Sequence, residues 1–392
     1  MHYLNKKNAV ISIAAGYSQE DLIKKIKNRG YAVIGVDKNP NAMGFKFCDE
    51  CVVASTHNSE PIIKELEKLK NRWNFAGIIV QSSGLPAITA GEIARHFNLK
   101  FISPDIARIV INKDKLIPEL NKNGVSAPKV KVISRREDVN VDFPPPYFVK
   151  PSQSFLTHTG MGMIEDRSNL SLAVEDAIKA SENGKVNVEQ FVSGVDVLSI
   201  DWVWKNKIIH VATLEEISSG PPHFYGLGWK MPVSSVFEKV AKDIQKQFTE
   251  SFGIDNSIVE TGMKIYQDKA YIYEASLDLG GDGVPDVLLP ASLGYDLFED
   301  GISVALGEAP LGPKKNVTPS YLRFLLQSEM KKNTEKMFEE IKNKFGGKKA
   351  DFKELPAKMN NEFRATAVLL TSDTVEELDL KINDFEKWLK IK

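Results

Sequence analysis

Acidic residues recur at even spacing in the stretch Ile258–Gly281, IVETGMKIYQDKAYIYEASLDLGG, where Glu260, Glu274 and Asp278 are accompanied by Ser276. Enrichment in Tyr, Ile and Val on either side of Gln267-Asp268-Lys269 predicts two strands joined by a tight turn. If the turn holds an odd number of residues, Glu260, Gly262, Lys264, Glu274, Ser276 and Asp278 share one face, because strand side chains alternate with period two. Val259, Met263, Ile265, Tyr271, Tyr273, Ala275 and Leu277 then form the opposite, core-facing side. Carboxylates brought together on neighbouring strands repel, so a cation between them is expected. Hard oxygen ligands suit Mg²⁺ bridging to phosphates. The alternative is a solvated hairpin face whose acids pair with Lys264 and Lys269, and the stretch alone leaves the two readings balanced.

A second group lies upstream. After Pro144-Pro145-Pro146, the strand YFVKPS delivers Lys150 at its end, and SQSFLTHTGMG (152–162) follows with hydroxyls, Gly160 and Gly162. Backbone N–H groups in such a loop can cradle phosphates while a lysine supplies point charge; a plain hairpin loop reads equally well. Residues 215–232, EEISSGPPHFYGLGWKMP, predict a long Gly/Pro-rich loop carrying His223, Tyr225 and Trp229. Loops of that kind are often functional, so His223 is the favoured substrate contact, ahead of His158. His96 falls on a helix as an ordinary position, and Trp202 and Trp204 alternate in a strand as packing residues. Cys48 and Cys51 form a single C-x-x-C that precedes a strand and has no second pair, so both are read as structural.

The elements that must position these groups alternate from the start. AVISIAAG, a helix over QEDLIKKIKNRG and the strand YAVIGVD make a βαβ opening with a parallel sheet. CVVAS, EPIIKELEKLKNR, FAGIIVQSS, ITAGEIARHFN and KFISPD continue it, giving a doubly wound domain over residues 1–111. The AAG turn is not GxGxxG, and Asp37 alone does not define a dinucleotide site. A helix pair over 106–126 leads into KVKVIS and YFVKPS, then the strand MGMIED, the helix NLSLAVEDAIKAS, and a long hairpin broken at Ser193-Gly194. A helix over 235–252 opens on a capping box, Ser235 to Glu238, and stops at Gly253. Residues 311–392 contain a basic helix, the strand ATAVLLTS and a last helix whose Val375, Leu378, Ile382, Phe385 and Trp388 stripe is core packing.

Composition bounds the partners. The 392 residues carry 51 Lys and Arg against 52 Asp and Glu, a formal charge of −1, which excludes a dedicated nucleic-acid binder. No apolar run reaches membrane-spanning length and the start lacks a secretory h-region, so a cytoplasmic protein without membrane partners is expected.

Taken together these residues resemble the ATP-grasp superfamily over about residues 9–310, with the tail more loosely similar. YAVIGVDKNPNAMGFKFCDECVVAS resembles the strand region preceding that fold, and DKLIPELNKNGVSAPK resembles its entry, with Asp114-Lys115. YFVKPS puts Lys150 where a phosphate lysine stands, VEQFVSGVD resembles the hinge motif, and VETGMKI…IYEASLD occupies the place of the metal hairpin. The resemblance implies an α/β protein: a pre-ATP-grasp doubly wound parallel sheet over 1–111, then an ATP-grasp fold over 112–310 in which two α+β subdomains clasp ATP. It implies a lid at about 128–191 and a C-terminal α+β region, 311–392, packed on the second domain. Lys115 and Lys150 would contact ATP phosphates, with Ser154 and Gly160 in the lid. The Gln190–Val192 backbone would meet the adenine edge, and Glu189 and Asp196 the amino group and ribose. Glu260, Glu274 and Ser276 would hold Mg²⁺ or Mn²⁺, and Lys150, Glu274, Asp278 and His223 would form the catalytic group. The family commonly reads E-x-N-x-R where this chain reads Glu274-Ala275-Ser276-Leu277-Asp278. The missing arginine is a cation expected near the acyl phosphate, for which His223, Lys230, Arg323 and His158 are the candidate replacements.

The activity so implied is ATP-dependent ligation of a small-molecule carboxylate to an amine through an acyl phosphate, releasing ADP and phosphate. Lysines and Mg²⁺ would neutralise the transferring phosphoryl group, and a closed lid would exclude water. A homodimer is one assembly compatible with this layout. Two alternatives stand beside it: a carboxylase or carbamoyl-phosphate-type enzyme working through carboxyphosphate, which usually keeps the arginine, and a degenerate ATP-binding protein without catalysis. Retention of Lys115, Lys150, Glu260 and Glu274 weighs against the last.

Overall fold

A computed structural model describes residues 6–135, 139–153, 160–221, 224–314, 316–331, 333–350, 358–359 and 362–390. The first unit is β1 (Lys7–Ile13), α1 (Glu20–Asn28), β2 (Ala32–Asp37), β3 (Glu50–Val53), α2 (Ser59–Leu69), β4 (Trp73–Val80) and α3 (Leu85–Phe97). Its strands are parallel in the order β3-β2-β1-β4. β1 is apolar on both faces, with Val10, Ile11 and Ile13 fully buried, as helices on both sides of a parallel sheet require. Leu22, Ile23 and Ile26 give α1 its inward stripe, and the Asn58 side chain caps α2 by accepting from Glu60 N. KFISPD forms no strand; its Ser103 instead caps α4 (Pro104–Val110). α5 follows at Lys113–Lys122.

A small antiparallel sheet comes next, built from β5 (Val130–Ile133), β6 (Tyr147–Pro151), β7 (Gly162–Ile164) and β8 (Val186–Gln190) in the order β5-β8-β6-β7. α6 (Leu170–Ala180) covers it, packing Leu170, Val174 and Ala177 on Tyr147, Val149, Val186 and Val188. The chain then enters a larger antiparallel sheet through β9 (Val195–Trp204), β10 (Lys207–Ser218) and β11 (Gly226–Met231). α7 (Ser235–Phe252), β12 (Ser257–Tyr266), β13 (Lys269–Ser276), α8 (Leu289–Leu293) and α9 (Leu297–Ala305) follow. The last elements are β14 (Ser320–Leu326), α10 (Thr334–Phe345), β15 (Lys348–Ala350), β16 (Lys358–Met359), β17 (Glu362–Thr371) and α11 (Val375–Lys390). The order β13-β12-β9-β10-β11-β14-β17-β15 runs unbroken into the C-terminal segment, with β16 paired to β17. Among the described residues no helix is long and apolar enough to cross a membrane.

Four local expectations change. The 215–232 segment is mostly sheet: Glu215, Glu216 and Ile217 pair with Lys230, Trp229 and Gly228, leaving only 219–225 as connection. Alternation of large and small residues across those pairs lets two strands form where Gly and Pro content predicts a loop. The cap of α7 is Ser234, whose side chain accepts from Phe237 N, and Ser235 is already helical. The hairpin turn is the two-residue Gln267-Asp268, both at positive φ (47° and 59°), with Tyr266 opposite Lys269. An even turn should send Glu274 to the wrong face, yet Gly262 pairs with Glu274 and Glu260 with Ser276. A β-bulge at Tyr273 supplies the missing residue, since Met263 already pairs with Ile272. Below the bulge the parity inverts, so Ile272 takes the core and Tyr271 stands opposite Lys264.

The packing assignments hold elsewhere. Trp202 is buried and donates from Nε1 to Tyr295 Oη at 2.9 Å. His96 is exposed beside Glu67. Cys48 and Cys51 are free thiols, and burial pushes Cys48 up to about 12, far from a reactive thiolate. Leu378 and Phe385 of α11 are buried, with Ile382 and Trp388 against them.

Beyond β13 the chain binds back to the first sheet, Leu279 N donating to Val80 O at 3.3 Å. Asp278 is 2% exposed at this seam, accepting from Gly280 N at 3.0 Å. Glu260 lies beside it, 9% exposed, with Ser276 Oγ 3.4 Å from its Oε2. Glu260 Oε1 and Asp278 Oδ2 have no hydrogen-bond partner among the described residues. Burial lifts Asp278 to about 6, and burial together with the Asp278 charge lifts Glu260 well above the carboxylate range. A folded-state pKa above the unfolded one means the native state holds the extra proton, so stability is full near pH 4 and declines as pH rises through 6 and beyond. The melting temperature should therefore fall from pH 5 to pH 8, and Glu260→Gln should flatten that fall; parallel profiles for the two proteins would exclude the pair as its source. A backbone test is equally direct. Gly194, joining β8 to β9 at φ 130°, leaves no room for a Cβ, which would lie 2.2 Å from Ile265 O. Gly194→Ala should lower unfolding free energy by about 1–3 kcal/mol in urea titrations.

Candidate active site

A cavity of about 340 Å³ opens between the small sheet and the large one, within the size range of small-ligand sites. β6 contributes Lys150, the end of β8 contributes Glu189–Val192, and β9 contributes Asp196. Glu216, Lys264, Tyr273 and Glu274 come from β10, β12 and β13, with Lys113 from the start of α5. Phe148, Phe191 and Phe224 supply an aromatic wall, Phe224 standing 5.8 and 5.7 Å from the other two ring centroids.

The charges are paired across elements. Lys150 Nζ is 2.9 Å from Glu189 Oε1, both side chains being at least 95% buried, and it donates to Tyr273 O at 3.2 Å. Asn187 steadies that carboxylate by donating to Glu189 Oε1 at 3.2 Å and to Lys113 O at 3.0 Å. Lys113 Nζ is 3.0 Å from Glu274 Oε2, whose charge holds the ammonium above its ordinary pKa. Lys264 Nζ donates to Asp196 Oδ2 at 2.6 Å; burial nevertheless raises Asp196. The Glu216 side chain makes no hydrogen bond or ion pair among the described residues; burial with the nearby charges of Asp196, Glu274 and Asp282 pushes it up to about 8 against the opposing charge of Arg364. Tyr273, sent into the cavity by the bulge, hydrogen-bonds Asp196 and is likewise raised by burial.

Of the residues singled out in the sequence, Lys150, Glu189, Gln190, Val192, Asp196 and Glu274 meet in this cavity. The Gln190 and Phe191 amides are engaged by Lys129 O and Pro146 O, while the Val192 amide takes no backbone partner among the described residues. That leaves one backbone amide beside the aromatic wall. Lys115 does not reach the cavity: it is exposed on α5, and Lys113 points inward instead. The apolar stripe Leu116, Ile117, Leu120 includes position 113 at helical spacing and excludes 115, a signal present in the sequence. Asp114 is buried and ties α5 to the small sheet through Ser152 Oγ at 2.7 Å and Lys185 Nζ at 2.9 Å.

Asp278 and Glu260 lie in the seam rather than the cavity, because the strand end turns toward β4 there. Ser276 donates to Glu260 and does not line the cavity. The predicted metal trio Glu260, Glu274 and Ser276 thus does not converge, and among the described residues no three His, Cys, Asp or Glu side chains form a metal-binding group. Glu274 alone of the three presents its carboxylate to the cavity. Gly160 packs on α6, where a Cβ would meet Ala180 Cβ at 2.7 Å, which is a packing reason for glycine. Ser154, His158 and His223 lie outside the described residues.

Of the candidate replacements for the absent arginine, the two among the described residues stand outside the cavity. Arg323 is held by Glu386 at 2.9 Å and Glu329 at 2.8 Å, and Lys230 pairs with Asp379 at 2.5 Å; neither lines the cavity. Arg364 does, reaching in from β17. Sequence reasoning placed Lys264 on the acidic face without a role and missed Arg364 together with Lys113, Glu216 and Asp282; for Arg364 nothing local marks it, since its position depends on β17 pairing with β14.

No protein-family model matches the chain. Among curated proteins it is 22% identical over 229 residues to the carbamoyl phosphate synthase large chain of Campylobacter jejuni, an alignment covering 57% of this chain. The chain spans about a fifth of the length of that relative (21%). Solved structures match over nearly the full length. An L-amino acid ligase from Bacillus licheniformis superposes with TM-score 0.75 at 16% identity, covering 97% of both chains. A phosphoribosylglycinamide synthetase from Anaerococcus prevotii gives 0.70 at 18% identity, covering 97% of this chain and 98% of that one. N5-carboxyaminoimidazole synthetase from Staphylococcus aureus, solved with ADP, gives 0.74 at 12% identity with 96% of each chain covered. Parallel-sheet unit, small lid-like sheet and large antiparallel sheet together are the fold these ligases share, and the chain has the ATP-grasp fold.

Proposed function

We propose that this chain is an ATP-dependent carboxylate–amine ligase. The observation that carries the reading is the pair of lysines, half-buried Lys113 and buried Lys150, which face one aromatic-walled cavity from two different elements. Under it, residues 1–111, 112–310 and 311–392 act as the pre-ATP-grasp, ATP-grasp and C-terminal units, with 128–191 as lid. Adenine stacks along Phe148 and Phe191 with its edge at Gln190–Val192, Asp196 takes the ribose, and the two lysines leave their glutamates for the phosphates. Mg²⁺ or Mn²⁺ arriving with the nucleotide would be held by phosphate oxygens and Glu274, and would supply charge neutralisation.

In the first step a carboxylate oxygen attacks the γ-phosphorus and the bond to the β,γ-bridging oxygen breaks, so ADP leaves. In the second, the amine nitrogen attacks the acyl carbon and the acyl C–O bond breaks, releasing phosphate and a proton. Lys150 and Lys113 stabilise charge on the transferring group, and the enclosing sheets keep water from the acyl phosphate. A carboxyphosphate reading is favoured by the carbamoyl phosphate synthase likeness. In that case bicarbonate replaces the organic acid.

Hydroxylamine intercepts an acyl phosphate whatever the natural amine. Incubation with ATP, Mg²⁺, hydroxylamine and a panel of carboxylic acids should yield hydroxamate with one acid class, at a rate at least a hundredfold lower in Glu274→Gln. Bicarbonate-dependent ADP release without hydroxamate would move the assignment to carboxyphosphate chemistry; ATP binding without either would leave a nucleotide binder. The two lysines of α5 separate cleanly as well. Lys113→Ala should weaken ATP binding at least tenfold by calorimetry, while Lys115→Ala stays within twofold of wild type, and the reverse pattern would return Lys115 to the site.

A further inference from the structure

Arg364 is 8% exposed, yet its guanidinium lines the cavity. Nη1 donates to Asp282 Oδ1 at 2.6 Å and Nη2 to Gly226 O at 2.7 Å, while the guanidinium carbon lies 4.1 Å from the centroid of the Phe324 ring. The buried Nε has no hydrogen-bond partner among the described residues. A buried guanidinium with an unfilled donor is expensive to maintain for packing alone. Its planar fork, pinned on one edge by Asp282 and Gly226, is preorganised for a carboxylate oxygen on what remains.

A second pole stands beside it. A Cβ on Gly226 would fall 2.6 Å from Glu216 Oε1 and 3.0 Å from Arg364 Nη2, so a carboxylate and a guanidinium flank one point that only glycine leaves open. Lys113, Lys150, Lys264 and Arg364 each hold an acid of their own, and Glu216 has no cation of its own among the described residues. Arg364 is near Glu216 but is taken by Asp282, so the unpartnered Glu216 carboxyl suits a positive group that arrives with a ligand.

We infer that Arg364 and Glu216 form the acid-substrate site and that the substrate is an α-amino acid, its carboxylate oxygen on Arg364 and its ammonium on Glu216. This rests on the ligase reading. Arg364 holds one carboxylate oxygen while the other faces the γ-phosphate, which stands in for the arginine missing after Glu274. Glu216 discriminates by charge, because an acid lacking the ammonium leaves its carboxylate unpaired inside the cavity.

The test uses the full chain with ATP, Mg²⁺ and hydroxylamine on matched pairs: alanine and propionate, phenylalanine and 3-phenylpropionate, glutamate and glutarate. Hydroxamate should form with an amino acid and at least a hundredfold less with its deaminated partner. Arg364→Lys should raise the KM for the acid at least thirtyfold with ADP affinity and melting temperature near wild type, which separates lost recognition from lost folding. Glu216→Gln should cut the amino-acid preference at least tenfold. Equal wild-type turnover of a deaminated acid overturns the ammonium site, and an unchanged KM in Arg364→Lys overturns the arginine; in both cases the ligase reading survives. Wild type that binds ADP but forms no hydroxamate with any acid removes the ligase reading and this inference with it.

Discussion

Charge compensation across element boundaries is the constraint on which this structure turns. Lys150 of β6 faces Glu189 of β8, Lys113 of α5 faces Glu274 of β13, Lys264 of β12 faces Asp196 of β9, and Arg364 of β17 faces Asp282. For the fully buried pair, Lys150 and Glu189, removing one partner should cost about 3–5 kcal/mol, because the other charge stays behind unsolvated. The small sheet, α5 and the large sheet are thus fastened at the cavity by ion pairs as well as by their separate apolar cores. Those same pairs are what a polyanion must rearrange. Under the ligase reading a bound triphosphate would take the lysines and free their glutamates, and the resting pairs keep the site charged without leaving cations bare.

The β12–β13 hairpin shows how narrowly such an arrangement is specified. A two-residue turn by itself would put Glu274 on the core face; the one extra residue at the bulge, Tyr273, brings Glu274 round to the cavity beside it. The turn sets Lys264 opposite Tyr271, and the β12–β9 register sets it across from Asp196, extending one row of polar groups over β12 and β9.

Much of this was legible in the chain. The parallel sheet follows from apolar runs alternating with amphipathic helices, the position of Lys150 follows from a strand end, and Glu189 and Asp196 were reached through the resemblance of VEQFVSGVD to the hinge motif. The parity of the hairpin was reached through a turn of the wrong length, since period-two arithmetic counts residues and cannot say whether the extra one sits in a turn or a bulge. Lys113 was within reach of helical periodicity on α5. Glu216 was hidden by glycine and proline content that reads as loop, and Arg364 by distance along the chain, because register between β14 and β17 is a tertiary outcome. Glu260 and Asp278 are acids in a region rich in acids, and only packing against β4 separates them from Glu274.

The strand that carries Arg364 is nearly the last to be made. Lys113, Lys150, Glu189, Asp196 and Glu274 are all joined to the chain some ninety residues or more before β17 leaves the ribosome. β17 joins the sheet beside β14, which lies beside β11. During synthesis all five of those side chains are therefore in the chain before the Arg364 guanidinium is. Under the ligase reading, order of translation would act as a safeguard: a chain still lacking β17 would have no Arg364 with which to present an acid to the nucleotide.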